Sequence, residues 1–176
     1  MKLYKAQNIV TIVLFSMCLN MGYIQAQEND KKYLQDPESL IRELYKTVSQ
    51  KSISEKLPDW DKVRDMFYEK ALVSLRVSRV KYQIFDVAGF IKDFQDFYQE
   101  PGVKANGFTE TILNLKKSGT GKLAHILTLY EARIVNGVGN QGVDSWQLIY
   151  KDNRWWIFSI TNEVIDKDTP VPEVLK

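Results

Sequence analysis

His125, Glu131 and Arg133 are the side chains of this sequence whose types first suggest acid–base chemistry. All three fall on one face of a segment in which neighbouring residues alternate between two sides, as they do along a β-strand. Six residues at about 3.3 Å each separate His125 from Glu131 by roughly 20 Å, so these two cannot form a catalytic dyad. Glu131 and Arg133 are near enough for an ion pair, which we expect at the surface or at a subunit rim.

Tyr130 could stabilise an enolate in an isomerase-type reaction, but that mechanism also needs a carboxylate base beside the same cavity. The adjacent Glu131 points to the other side of the strand, because successive strand residues alternate. The acids Asp65, Asp93 and Asp96 fall on helices, where we expect solvent exposure. The sequence therefore offers no complete catalytic constellation, and we assign no catalytic residue.

The first 26 residues have the three parts of a secretory signal. Lys2 and Lys5 form a basic start, the eleven residues from Ile9 to Leu19 form an apolar core, and Ala26 suits cleavage. A membrane span requires about 20 apolar residues, so this core is too short to cross a membrane. We expect cleavage near Ala26, a secreted or periplasmic bacterial protein, and no stable membrane insertion afterwards.

Removal of this segment leaves 22 basic and 22 acidic side chains, so the pI of about 8.5 overstates the charge of the remaining chain. A balanced charge argues against a nucleic-acid or anionic-membrane partner. The single cysteine, Cys18, lies in the signal core, which excludes a disulfide framework or a thiolate metal site from the rest. No GxSxG, HExxH, P-loop or GxGxxG motif occurs, and we predict neither metal nor cofactor.

Helix signals come first along the chain and strand signals follow. The Asp36-Pro37 pair starts one helix, Pro58-Asp59 starts a second, and Asp86 starts a third that Pro101-Gly102 ends. A strand is predicted between the second and third helices, and four strands after them, the last three forming a meander with a tight turn at Lys151 to Asn153. We expect a lead-in over 27–35, one domain over 36–165 and an extended tail over 166–176.

Helices followed by an antiparallel meander indicate an α+β domain. Within this order of elements, the segments that carry a family resemblance are Met66-Phe67, Gly89-Phe90-Ile91, Ala124 to Arg133 and Asn153 to Ser159. Together with the order of elements, they resemble the nuclear transport factor 2-like superfamily, the cystatin-like cone shared by ketosteroid isomerase, scytalone dehydratase and SnoaL-like polyketide cyclases. The resemblance covers roughly Asp36 to Asn162. It implies a curved antiparallel sheet with the N-terminal helices over its concave face, and in many members a cavity between them.

Alternation divides the side chains of the meander between two faces of the sheet. One set mixes apolar surface with hydroxyl and amide groups, which suits a ligand cavity, and we assign it to the concave side. The alternative is that these side chains simply pack beneath the helices and bond locally. The predicted pocket residues are Tyr45, Phe67, Phe94, Tyr130, Ser145, Gln147, Trp155 and Ser159.

The opposite set is too apolar for a sheet face left in water. The resemblance implies that a second subunit covers it, and we expect a homodimer. The predicted interface residues are Leu127, Leu129, Trp146, Leu148, Trp156 and Phe158.

Three functions remain open at this point. The first is a non-catalytic exported domain that binds a small, largely apolar molecule. The second is an isomerase, cyclase or dehydratase that acts on a hydrophobic substrate through Tyr130 and an unidentified acid. The third is a protein–protein interaction module that uses the apolar sheet face. A carboxylate within hydrogen-bond reach of a pocket tyrosine favours catalysis, whereas an apolar cavity without one favours binding.

Overall fold

Side-chain caps start the first three α-helices at the predicted aspartates. In this computed structural model, which describes residues 31–78 and 81–176, each of these aspartates accepts a hydrogen bond from a backbone N–H three residues on, at 2.7–3.0 Å. The capping residues are Asp36, Asp59 and Asp86. They precede α1 (Pro37–Thr47), α2 (Trp60–Met66) and α3 (Val87–Phe97). The three predicted starts are confirmed.

A fourth helix, α4 (Pro101–Asn106), was not predicted. The α3 helix already ends at Phe97, and Pro101 begins the next helix instead of merely ending the previous one. A proline has no N–H to offer, so it fits the first position of a helix as well as the position after one. Short 3-10 turns occur at Lys32–Gln35 and Glu173–Leu175.

Six strands form one curved sheet that does not close on itself. Their order across the sheet is β2-β1-β6-β5-β4-β3, and every neighbouring pair is antiparallel except β1 and β6. The α+β class, with helices over a curved sheet, is confirmed. The strands are β1 (Phe67–Ser78), β2 (Lys81–Phe85), β3 (Phe108–Thr120), β4 (Leu123–Ile134), β5 (Asn140–Lys151) and β6 (Arg154–Val164).

Two details of the strands differ from the alternating pattern of the sequence. The edge strand β2 was not predicted, because most of its residues are exposed and show no buried alternation. In the β5–β6 pair, Gln147 is opposite Ser159 and Leu148 is opposite Ile157, so Phe158 is an extra, bulged residue. The bulge shifts the alternation of β6 by one residue. The predicted tight turn is confirmed, since Asp152 and Asn153 both have positive φ.

The hydrophobic core lies between the helices and one face of the sheet, and includes Leu40, Ile41, Ile126 and Ile157. The C-terminal tail covers part of the other face. Leu175, in the last 3-10 turn, is buried against Leu129 and Val143. The Asn114 side chain donates a 3.0 Å hydrogen bond to the carbonyl of Leu175. The tail thus ends in a docked turn, where an extended segment was predicted.

The features that follow belong to the compact unit formed by residues 34–176. The predicted signal segment over 1–26 and most of the lead-in lie outside the described residues. Over residues 31–78 and 81–176, we find no helix long and apolar enough to cross a membrane.

Candidate functional site

A cavity of about 230 Å³ lies between the concave sheet face and the helices α1 and α3. Aromatic and aliphatic side chains form most of its wall: Leu44, Val48, Leu75, Phe90, Phe94, Trp146, Ile160 and Val164. Six side chains add polar groups: Tyr45, Arg76, Glu110, Tyr130, Asp144 and Asn162. This combination of apolar wall and few polar groups is typical of small-molecule sites.

The carboxylate of Asp144 is the centre of a buried hydrogen-bond network. Its Oδ2 accepts a short hydrogen bond from the Tyr45 hydroxyl, and its Oδ1 accepts one from Asn162 Nδ2 at 2.8 Å. The Tyr45 hydroxyl also lies 2.9 Å from Thr128 Oγ1. Because Tyr45 gives its proton to Asp144, Thr128 is the donor in that bond. Trp146 Nε1 in turn donates to Thr128 at 3.1 Å, so the network is fully connected.

Tyr130 retains a free hydrogen-bond donor. Its hydroxyl oxygen accepts from Asn162 Nδ2 at 2.8 Å, and its own O–H donates to no described residue. Gly142 lies directly opposite Tyr130 in the β4–β5 pair, and a Cβ at that glycine would overlap the tyrosine ring and hydroxyl. The absence of a side chain at Gly142 therefore makes room for Tyr130 on the concave side.

Glu110 brings a second carboxyl group to the cavity, and this group makes no hydrogen bond to any described residue. The backbone N–H of Glu110 donates to Ser49 Oγ at 2.9 Å, which ties β3 to the end of α1. The residue keeps partial exposure because it also borders a surface groove between α1 and β3. In the described part of the chain every fully buried side-chain oxygen has a hydrogen-bond partner, so the carboxyl group of Glu110 keeps some access to water.

The two carboxyl groups have pKa values shifted in the same direction but to different extents. Burial raises the pKa of Asp144 to about 6, although its hydrogen bonds from Tyr45 and Asn162 act against the rise. Burial also raises the pKa of Glu110 to about 8, and the negative charge of Asp144 adds to this effect. At pH 7 we therefore expect Asp144 to be mainly ionised and Glu110 mainly protonated. Burial raises the pKa of Tyr45 and of Tyr130 as well, so both keep their protons.

Arg76 is the one basic side chain that lines the cavity among the described residues. It forms a short ion pair with Glu163, lies 3.6 Å from a carboxylate oxygen of Asp166, and donates to the carbonyl of Val164 at 3.1 Å. Two acidic partners thus already balance its positive charge. It does not serve as a counter-ion for Asp144 or Glu110.

Three of the predicted pocket residues line this cavity, namely Tyr45, Phe94 and Tyr130. Phe67 is buried and packs against Phe90, with ring centroids 5.7 Å apart, but it borders a different surface groove.

Four of the predicted pocket residues lie elsewhere, and their assignment was wrong. Ser145 bonds His125 at 2.9 Å on the outer face, and Ser159 donates to Gln147 at 3.2 Å on the same face. Trp155 contacts Tyr150 at the end of the sheet, away from the cavity.

For Ser145, Gln147 and Ser159 the error has a simple cause in the strand register, whereas Trp155 lies on the predicted face, beyond the cavity. Thr128 pairs with Asp144, Ile126 with Trp146 and Ala124 with Leu148, and paired residues share a face of the sheet. A change of one residue in register exchanges the two faces of a strand, and the sequence alone does not determine the register of β5. The bulge at Phe158 then turned Ser159 outward.

Asp144, Glu110 and Asn162 are the site residues that sequence reasoning missed. One signal could have found Asp144: it shares its alternation with Trp146 and Leu148, and a charged residue on such an apolar face is rarely exposed by chance. Glu110 and Asn162 carry no comparable signal, because their neighbours in β3 and β6 are of mixed polarity.

The predicted dimer surface also changes. Trp146 and Leu148 are 2% and 1% exposed inside the protomer, so they cannot contact a second subunit. Leu129 is buried beside Leu175 of the tail, and Leu127 packs at the margin of that cluster. Trp156 is half-buried and Phe158 is 41% exposed on the outer face.

The residues that first suggested chemistry lie outside the cavity. Glu131 and Arg133 form the expected ion pair with partly exposed side chains. Within the described part of the chain, no group of three or more His, Cys, Asp or Glu side chains is arranged to hold a metal ion.

Solved structures with very different sequences share this fold. A nuclear transport factor 2-like protein of unknown function from Pseudomonas putida KT2440 superposes with a TM-score of 0.59 at 8% identity, covering 79% of this chain and 92% of that one. A nuclear transport factor 2-like protein with a cystatin-like fold from Novosphingobium aromaticivorans gives 0.58 at 13% identity, covering 85% and 90%. Nuclear transport factor 2 from Cryptosporidium parvum gives 0.54 at 10% identity, covering 73% and 90%.

The chain therefore has the nuclear transport factor 2-like, cystatin-like cone fold. Its sequence matches no protein-family model and no curated protein. Because unrelated functions occur on one fold, the function has to be argued from the cavity.

Proposed function

We propose that this domain binds a small, largely apolar molecule in the cavity between α1, α3 and the sheet. The observation that carries the proposal is a space with mainly apolar walls, in which the Glu110 carboxyl and the Tyr130 O–H donor bond to no described residue. Both groups are therefore available to hydrogen-bond a ligand that enters the space. The volume of about 230 Å³ is below the usual 300–1,000 Å³, so the ligand is small.

A cavity-filling substitution tests this proposal. Leu75→Phe adds a ring to the cavity wall on β1, whereas Leu72→Phe makes the same change on the exposed side of that strand. In a titration with benzyl alcohol followed by NMR, we expect saturable shifts for the parent and Leu72→Phe proteins, and at least about a tenfold weaker affinity for Leu75→Phe because the ligand loses its space. Equal affinity in all three proteins would contradict the proposal.

A second candidate is an enzyme that moves a proton on a hydrophobic substrate. The specific observation in its favour is a carboxylate, Asp144, hydrogen-bonded to the cavity residue Tyr45. Both oxygens of Asp144 are engaged, so Glu110, which no described residue bonds, is the better proton carrier. Such an enzyme would speed deuterium exchange at the α-carbon of cyclohexanone in D₂O, and Glu110→Gln would abolish the acceleration. A rate equal to that of buffer would leave binding as the function.

We also propose that the domain forms a homodimer through the remaining outer face around Trp156 and Phe158. The support is an exposed aromatic surface, where Tyr68 contacts both rings at centroid distances of 6.2 Å. A different partner protein on this face is the alternative. Sedimentation equilibrium should give twice the protomer mass, and Phe158→Asp should halve it while Val138→Asp, on an exposed loop, should not. A monomer at micromolar concentration would refute the dimer.

Export is the last proposal, and it rests on the basic start, the apolar core and Ala26 in the sequence. N-terminal sequencing of protein recovered from a bacterial periplasm or culture medium should begin at Gln27. Retention of Met1 in the cytoplasmic fraction would refute it.

A further inference from the structure

We infer that the ligand of this cavity is a small amine, bound as an ammonium ion between the carboxyl groups of Glu110 and Asp144. This inference rests on the proposed function, since it names the chemical class of the molecule that the cavity would bind.

The first argument is the balance of charge around the cavity. Its walls present two carboxyl groups, from β3 and β5, and one guanidinium, Arg76 from β1. The guanidinium is engaged by Glu163 and Asp166, so it leaves the pair of carboxyl groups without a counter-ion. The other titratable groups there are the hydroxyls of Tyr45 and Tyr130, while α3 contributes only phenylalanines and β6 contributes the neutral Asn162. The cavity wall therefore lacks one positively charged group to balance these carboxyl groups.

The second argument is the match of hydrogen-bonding groups. An ammonium group has three donors and no acceptor. Glu110 has a carboxyl group that bonds no described residue, and each oxygen of Asp144 has accepted only one hydrogen bond. A carboxylate oxygen can accept two, so both side chains have room for an N–H donor. Charge-assisted bonds of this kind are about twice as strong as neutral ones.

The third argument is the aromatic wall beside the two carboxyl groups. The ring of Tyr45 lies 5.9 Å from that of Tyr130 and 6.0 Å from that of Trp146, measured between centroids. Aromatic rings attract a nearby cation through their quadrupoles. The remaining apolar wall suits one hydrocarbon ring or a short chain, so an amine such as benzylamine matches both parts of the cavity.

Binding of an ammonium ion has a consequence for protons. Glu110 is mainly protonated at pH 7, as its raised pKa of about 8 implies. A cation beside it favours the ionised form, so we expect Glu110 to release a proton as the amine binds. The amine keeps its own proton, and no covalent bond forms or breaks.

The test compares benzylamine with benzyl alcohol by calorimetry at pH 7. We expect benzylamine to bind the parent protein at least about tenfold more tightly, since it replaces a neutral hydrogen bond with charge-assisted ones. Glu110→Gln should remove this preference, because a neutral amide has no charge to pair with the ammonium ion. The matched control is Asp93→Asn, an exposed carboxyl on α3, which should keep the preference. Buffers of different ionisation enthalpy should report release of a proton with benzylamine and none with benzyl alcohol.

The outcomes separate the inference from the proposed function. If benzyl alcohol binds as tightly as benzylamine, the amine inference fails while the proposed function stands. If neither binds, both fail. An amine preference that survives in Glu110→Gln, or disappears in Asp93→Asn, would place the amine on surface carboxylates and overturn the inference.

Discussion

Raising the pH from 5 to 8 is expected to lower the free energy of unfolding of this domain. The pKa of Glu110 rises from its usual 4.5 to about 8 in the folded protein, and that of Asp144 rises from 3.8 to about 6. Between the unfolded and folded values, the native state binds more protons than the unfolded state, so stability decreases as the pH rises. The slope is about 1.4 kcal/mol per pH unit where one proton separates the two states.

Other carboxylates do not obscure this window. The pKa values of Asp36 and Glu163 are lowered in the folded protein, although burial opposes the shift in both cases. A lowered pKa contributes stability that is lost only as the pH falls below the usual range of these groups, under about 4.5. The expected stability maximum therefore lies near pH 5, at the low end of the range of about pH 5 to 8 that is typical of many proteins.

Urea unfolding at pH 5, 6, 7 and 8 measures this dependence. The variant Glu110→Gln has no charge to bury, so its stability should stay nearly constant from pH 6.5 to 8, where the parent declines. Asp93→Asn should follow the parent. A parent protein whose stability is constant or increases over pH 5 to 8 would show that the two carboxyl groups are not buried together.

Trp146→Ala is expected to cost about 3–5 kcal/mol of stability. The indole is 2% exposed, packs against Tyr45, and donates the hydrogen bond that anchors Thr128 in the Asp144 network. Its removal leaves a cavity in the core and interrupts the chain of hydrogen bonds that holds Tyr45.

Trp156→Ala is the matched control, because it removes the same side chain from the opposite face of the sheet. Trp156 is half-buried, donates to the carbonyl of Lys151 at 3.0 Å and lies under the Arg154 guanidinium at 3.7 Å. We expect a loss of about 1–2 kcal/mol, from partial burial and the cation–π contact. Thermal and urea unfolding measure both. If Trp156→Ala were less stable than Trp146→Ala, Trp156 would be the more buried of the two residues. That result would refute the register described for β5 and β6.

The fold was largely predictable because its local signals agree with its long-range packing. Asp36, Asp59 and Asp86 cap helices through contacts only three residues long, and the face of β4 that carries Tyr130 follows from alternation within one strand. Such features need no knowledge of distant residues.

The candidate site was only partly predictable because it depends on pairings between strands. Asp144 reaches the cavity through its register with Thr128, and the bulge at Phe158 changes which residues of β6 face inward. The partners Tyr45 and Asp144 are 99 residues apart in sequence. Nothing in the local pattern of either residue specifies that contact.

The central claim, that the space around Glu110 and Asp144 is a small-molecule site, is tested most directly by a crystal structure of the protein grown with 4-bromobenzyl alcohol. We predict an anomalous bromine peak inside the cavity, among Leu44, Phe90 and Ile160, with the hydroxyl directed toward Glu110 or Tyr130. Density showing the cavity closed by its own side chains, or bromine bound only on the outer surface, would contradict the claim.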